Sequence, residues 1–208
     1  HIETDTLNVD ARAVYGSPAS VVIVDQARID DGLLNVPLDS DKLYLIDGAI
    51  DITGYAITVP VGGVMLGGYG FNISSITTTE VNGAMFISPD GGSGDVLYSD
   101  LALTASGSGG SVFALTDSNG THAVECQRVN YNNCTSLGYL DGYRQGLEQG
   151  TGRFGGTPSL EFRGSWAGGY FYDTTIVRGI TDSVYSLFKC VVGQTFASRF
   201  GTNANIVV

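Results

Sequence analysis

Short apolar runs recur along the chain, each entered through small or turn-forming residues: Leu43-Tyr44-Leu45-Ile46, Val64-Met65-Leu66, Ala84-Met85-Phe86, Ser111-Val112-Phe113, Ser159-Leu160-Glu161-Phe162 and Ser183-Val184-Tyr185. A second run follows three of them after roughly a dozen residues, at Val96-Leu97-Tyr98, Ala123-Val124-Glu125-Cys126 and Tyr170-Phe171-Tyr172. The spacing is about 21 to 28 residues, with one longer step before Leu160, and a period of that size marks stacked turns. One turn cannot bury its apolar face alone, so the pattern predicts a solenoid in which each turn is covered by its neighbours.

Within the turns, Ile50-Asp51-Ile52 and Ala56-Ile57-Thr58-Val59 alternate apolar and polar positions and are rich in β-branched residues, which reads as strand. Ser20 to Val24 is the expected first strand. Weak helical spacing occurs at Leu137, Leu140, Tyr143 and Leu147, but the surrounding glycines argue for a loop insertion at about 135–156 that projects from the stack. The expected organisation is one domain over 1–208. Residues 1–40 lead in and cap, 41–192 form the stack, and 193–208 cap the far end or begin a further segment.

Thirty glycines and only five prolines suit many tight turns between short strands. The net charge of −11 disfavours a grip on phosphate backbones, so nucleic acid is not an expected partner. Many of the acids are Asp beside Gly, Asn or Ser, where the carboxylate braces turns. Cys126, Cys134 and Cys190 have neither CxxC nor CxxH spacing and read as buried thiols, with a Cys126–Cys134 bridge the weaker alternative. The stretch Gly91 to Leu97 partly matches a calcium-binding nonapeptide, but Asp95 falls one residue early and no second copy follows. No cofactor or metal is expected. No run of eighteen apolar residues exists, so no membrane insertion is expected either.

Asp47-Gly48-Ala49-Ile50-Asp51-Ile52-Thr53-Gly54, then Ile57-Thr58-Val59-Pro60 and Gly67-Gly68-Tyr69-Gly70-Phe71-Asn72-Ile73, resemble the coils of right-handed parallel β-helix proteins of bacteriophage particles, the tailspikes and receptor-binding appendages. The resemblance covers roughly residues 40–180. It implies an all-β, single-stranded right-handed parallel β-helix, usually a homotrimer. It also implies a place at the virion surface, among other virion proteins and facing a bacterial surface polysaccharide. Trimerisation has a separate physical motive, because the outer faces of a solenoid must meet solvent, a cap or a partner.

Trp166-Ala167-Gly168-Gly169-Tyr170-Phe171-Tyr172-Asp173 combines the only Trp with two Tyr and a carboxylate. Trp166, Tyr170, Tyr172 and Asp173 can stack on sugar rings and bond their hydroxyls; the same aromatics would also serve as core or subunit anchors. Glycan cleavage needs two carboxylates facing each other across a groove, and the candidates are Glu125, Glu161 and Asp173. Lyase chemistry would draw on Arg153, Arg163 or Arg178, although an acidic surface repels a uronate chain. The expectation is a virion recognition protein without catalysis. The rivals are a polysaccharide-degrading tailspike, whose carboxylates would line one groove, and a purely architectural virion protein.

Overall fold

The computed structural model describes residues 20–143 and then the strands at 145–149, 153–156, 160–163, 168–176, 188–190 and 197–200; beyond residue 143, side chains are described at Leu160, Glu161 and Arg163. Ser20–Val24 (β1) leads into a short helix, Gln26–Asp30 (α1), and a 3-10 turn at Leu33–Asn35. Strands then arrive in threes. The first two sets are Lys42–Ile46 (β2), Ala49–Asp51 (β3) and Ile57–Thr58 (β4), then Val64–Gly68 (β5), Ser75–Thr78 (β6) and Ala84–Ile87 (β7). The next two are Val96–Ser99 (β8), Ala102–Ala105 (β9) and Ser111–Thr116 (β10), then Ala123–Gln127 (β11), Asn130–Cys134 (β12) and Gly138–Asp141 (β13). Gln145–Gln149 (β14), Arg153–Gly156 (β15) and Leu160–Arg163 (β16) follow, and Gly168–Ile176 (β17), Phe188–Cys190 (β18) and Ala197–Phe200 (β19) end the described series.

The chain is all-β with parallel sheets. Its strands pass in rotation to three ladders, and each pairing is parallel. The first ladder runs β1-β2-β5-β8-β11-β14-β17, with β19 beyond it; the second runs β3-β6-β9-β12-β15-β17; the third runs β4-β7-β10-β13-β16-β18. The long β17 serves two ladders, setting Tyr170 beside Leu147 and Ile176 beside Phe154. The step between paired strands runs from about 22 residues (Leu43 to Met65) to about 32 (Val64 to Val96), which widens the spacing expected from the sequence.

Alternation along each strand sends one residue inward and the next outward. The inward set includes Tyr44, Leu66, Tyr98 and Cys126 from the first ladder, Ile50, Ile76, Leu103 and Tyr131 from the second, and Phe86, Phe113 and Leu140 from the third. These residues form one continuous apolar cluster. Phe86 and Phe113 are paired in register, and their rings stack at 5.5 Å between centroids. The Tyr98 hydroxyl bonds that of Tyr131, which also reaches Cys126 Sγ at 3.6 Å, so the buried polar tips satisfy one another. Cys126 and Cys134 are both buried, and no disulfide joins the two. A smaller apolar cluster, Leu43 and Leu45 with Met65, Tyr69 and Leu97, lies on the other face of the first ladder.

Corners are built by special backbone. Between the first and second ladders the chain turns through left-handed residues, Gly48 (φ 81°), Gly70 (φ 119°), Asp100 (φ 57°) and Arg128 (φ 53°). Asp100 and Arg128 carry a Cβ there at a cost of roughly 1–2 kcal/mol each. They offset it with a two-pronged ion pair, Nε to Oδ1 and Nη2 to Oδ2, both 2.6 Å. At the lower end, α1 tucks Ile29 over the core, and Asp25 caps it by accepting the Arg28 N–H. Gln26 on α1 donates to the Asp51 carbonyl at 3.0 Å and accepts the Asp51 N–H at 2.7 Å.

The loop insertion expected at 135–156 is corrected by this topology. Strands β13, β14 and β15 fill that stretch, and each continues a ladder in register. The longer step before Leu160 therefore disappears, because Phe113 pairs with Gly138 and Gly138 with Leu160. The expected first strand, Ser20 to Val24, is β1. Of the runs named from the sequence, Ser183-Val184-Tyr185 lies outside the described residues.

Candidate functional site

The outward face of the third ladder gathers chemistry. Leu140 is buried, so its neighbours Tyr139 and Asp141 on β13 face the other way; Leu160 is buried in the same manner on β16, which turns Glu161 and Arg163 outward. Register sets Tyr139 beside Glu161 and Asp141 beside Arg163. Arg163 Nη2 donates to Glu161 Oε2 at 2.7 Å, and its guanidinium lies 3.9 Å from the centre of the Tyr139 ring. The hydrogen bond to Glu161 is the main cause that raises the Arg163 pKa above the usual arginine value; burial opposes it, and the negative charges of Glu161 and Asp141 add to the rise. The preceding strand contributes Ala114 beside Tyr139 and Thr116 beside Asp141, so nothing bulky walls the patch on that side. An aromatic ring, a stacked guanidinium and two carboxylates on one half-exposed face can bond the hydroxyls and cover the apolar face of a sugar.

The structure separates the carboxylates singled out from the sequence. Glu125 is on β11 in the first ladder, between Leu97 and Leu147, whereas Glu161 is on β16 in the third. They stand on different sheets, whereas the polysaccharide-degrading rival asks Glu125, Glu161 and Asp173 to line one groove. Tyr170 occupies the Glu125 row of the first ladder two strands further on, because Leu147 pairs with both. Tyr172 and Asp173 fall on β17 where it leaves one ladder for the other. The side chains of Tyr170, Tyr172 and Asp173, and Trp166 altogether, lie outside the described residues, as do the side chain of Arg153 and residue Arg178.

Tyr139 and Asp141 escaped the sequence reading because they fell in the supposed insertion. The signal was present nonetheless. Tyr139-x-Asp141 and Glu161-x-Arg163 are two-residue alternations about 22 residues apart, one turn of the repeat, and residues so placed share a face and a register.

A second polar constellation closes the corner between the third and first ladders. Asp117 is 4% exposed and accepts three backbone N–H groups, from Asn119, Thr121 and His122, each at 2.8 Å; His122 Nδ1 lies 3.1 Å from its Oδ1. Burial opposes its charge, yet the donors of His122, Asn119 and Thr121 together hold its pKa below the usual carboxylate value. Next to it, the Tyr143 hydroxyl meets Ser93 Oγ at 2.6 Å and the Gly94 carbonyl at 3.2 Å, and Ser93 bonds Ser88. Burial pushes the Tyr143 phenol well above its ordinary pKa. These bonds point into the turn itself and serve as a brace. His122, read from the sequence as a turn or surface residue, belongs to that brace.

Among the described residues, no group of three or more His, Cys, Asp or Glu is placed to hold a metal ion, and no helix is long and apolar enough to cross a membrane. A cavity of about 10 Å³ under α1, lined by Val24, Ile29, Leu34 and Ile57, is no larger than one water and wholly apolar. No family model, curated protein or solved structure matches the chain.

Proposed function

We propose that the three ladders wind as a right-handed parallel β-helix and that the molecule is a virion recognition component of tailspike or appendage type, binding a bacterial surface glycan without cleaving it. The parallel crossovers support the handedness, since such connections are right-handed in nearly all proteins. One observation carries the functional part: the Tyr139, Asp141, Glu161 and Arg163 cluster on an outward sheet face. Trp166, Tyr170, Tyr172 and Asp173, which follow β16 directly in the chain, extend this reading as further sugar contacts. A homotrimer at the virion surface, assembled with other virion proteins, belongs to the same proposal.

The geometry favours binding over hydrolysis. Asp141 and Glu161 are diagonal neighbours across two parallel strands, and inverting cleavage would need their carboxyl groups to face one another across a gap that admits water. Against cleavage stands the engagement of Glu161 by the Arg163 guanidinium, which occupies one of the two carboxylates that acid and base roles would require. Glycan-array binding, with the incubated polysaccharide examined by mass spectrometry, tests the proposal. The expected result is binding with unchanged chain length, and at least tenfold weaker binding by Tyr139→Ala, as befits loss of about 1.4 kcal/mol of stacking. Shortened glycan would establish the enzyme instead, and absence of binding would leave the architectural role.

A further inference from the structure

We infer that Asn119 is a site of spontaneous modification, where the side-chain carboxamide closes on the Gly120 nitrogen and ends as aspartate or isoaspartate. The chain holds two Asn-Gly pairs, Asn82-Gly83 and Asn119-Gly120, and every other asparagine is followed by a residue with a side chain. Glycine favours this reaction because no Cβ obstructs the approach of its nitrogen to the preceding carboxamide. At the second pair, Asp117 decides which nitrogen is left free. Its carboxylate accepts the N–H groups of Asn119, Thr121 and His122, each at 2.8 Å, and passes over that of Gly120. Among the described residues no acceptor takes the Gly120 N–H. Asn119 and Gly120 are both exposed, and a Cβ on Gly120 would meet nothing closer than the Gly142 carbonyl oxygen at 3.6 Å, so solvent reaches this peptide. The first pair is closed by comparison. Asn82 is held at φ 56°, its N–H donates to the Ser108 carbonyl at 2.9 Å, its Oδ1 lies against Gly109, and the half-buried Gly83 is packed by the Glu80 side chain.

The step balances with water as the sole co-reactant. The Gly120 nitrogen gives its proton to a solvent base and attacks Asn119 Cγ; a C–N bond forms, the side-chain nitrogen leaves as ammonia, and a cyclic imide remains. One water then opens the imide. Opening at the side-chain carbonyl gives aspartate, and opening at the backbone carbonyl gives isoaspartate, whose main chain runs through Cβ and is one methylene longer. That methylene falls between the donors that Asp117 collects, with the Asn119 N–H before it and those of Thr121 and His122 beyond it. The isoaspartyl form therefore spoils the convergence of the three N–H groups on one buried carboxylate, and the turn loses its brace.

The test is incubation of the full folded chain in warm, mildly alkaline buffer, with samples digested over time and the peptides read by mass spectrometry for the amide-to-acid mass gain. A urea-unfolded sample runs in parallel, and chromatography separates the aspartyl from the isoaspartyl product. In the folded protein the Asn119 peptide is expected to convert about tenfold faster than the Asn82 peptide, since Asn82 must first be freed from its packed corner. In the unfolded sample the two rates should draw together. Asn119 gives the brace only its backbone N–H, so Asn119→Gln, which would need a larger ring, should remove the early conversion. Equal rates at the two pairs in the folded protein, or an Asn119 that stays an amide while the unfolded chain converts, would overturn the inference. If the variant fails to fold, the peptide map of the unaltered protein still decides.

Discussion

Asp117 keeps a charge almost out of reach of water, and its four donors show how that is possible. The side chain is a fixed anchor for the turn from Asn119 to His122, not a surface carboxylate. Its pKa is lowered on folding, so its contribution to stability is complete above the unfolded aspartate value near 4 and is lost as pH falls through the folded value. Asp117→Asn is expected to cost about 1.5–3 kcal/mol at neutral pH and to flatten the acid limb of the stability curve. Urea unfolding followed from pH 7 down to pH 2 measures both, and an unchanged acid limb would remove Asp117 from this role. Nothing in the sequence Asp117-Ser-Asn-Gly-Thr-His122 separates this acid from the other turn aspartates, because what distinguishes it is burial beside Tyr143 and Asp95, set by turns lying above and below it in the stack. Glu161 and Arg163, by contrast, were visible as separate candidates from the sequence; their pairing with each other and with Tyr139 was not, since it depends on the register between strands.

At the scale of the element, the strands that bury runs of consecutive aliphatic and aromatic residues were legible. Leu43 to Ile46 lies in β2, Ala84 to Phe86 in β7 and Ser111 to Phe113 in β10. The polar strands were not, because a four- or five-residue strand needs only two inward residues and the outward ones are free to vary; Asn130-Tyr131-Asn132-Asn133-Cys134 carries almost no apolar signal. Leu137, Leu140 and Tyr143 are instructive. All three are buried, so the regular spacing was real, but it arises from strand alternation interrupted by corners and not from a helical turn. Corners also make the sharpest mutational forecasts. Gly138 sits at φ 82° where an added Cβ would strike the Phe113 carbonyl oxygen, so Gly138→Ala is expected to destabilise by on the order of 3 kcal/mol. Gly54, at φ 88° with open space around it, is the control and should lose only about 1 kcal/mol; equal losses in chemical denaturation would refute the steric account. At the other corner, Arg128→Gly gives up the Asp100 pair but gains the left-handed conformation freely, so it should be about 1 kcal/mol less damaging than Arg128→Ala. A double-mutant cycle with Asp100→Ala isolates the ion pair from that backbone term.

For the whole molecule, three parallel ladders fed in rotation mean that each set of strands leans on the sets before and after it. An oligomer of such bodies is expected to be the homotrimer proposed above, and sedimentation equilibrium should report a species of three times the 21.8 kDa chain mass; a monomer at micromolar concentration would exclude it. Stacks of this kind also carry a hazard at their ends, where a ladder offers unpaired N–H and C=O groups to any passing strand. The side-chain amide of Gln26, bonded to both backbone groups of Asp51, imitates the strand that would come next and fills that position on the second ladder. Helix α1 is therefore a stopper as well as a lid. Among the described residues, β1 on the first ladder has no such plug, and its Val21 and Ile23 are 43% and 41% exposed. Self-association at this end is thus uneven among the three ladders, with one of them plugged by a single carboxamide.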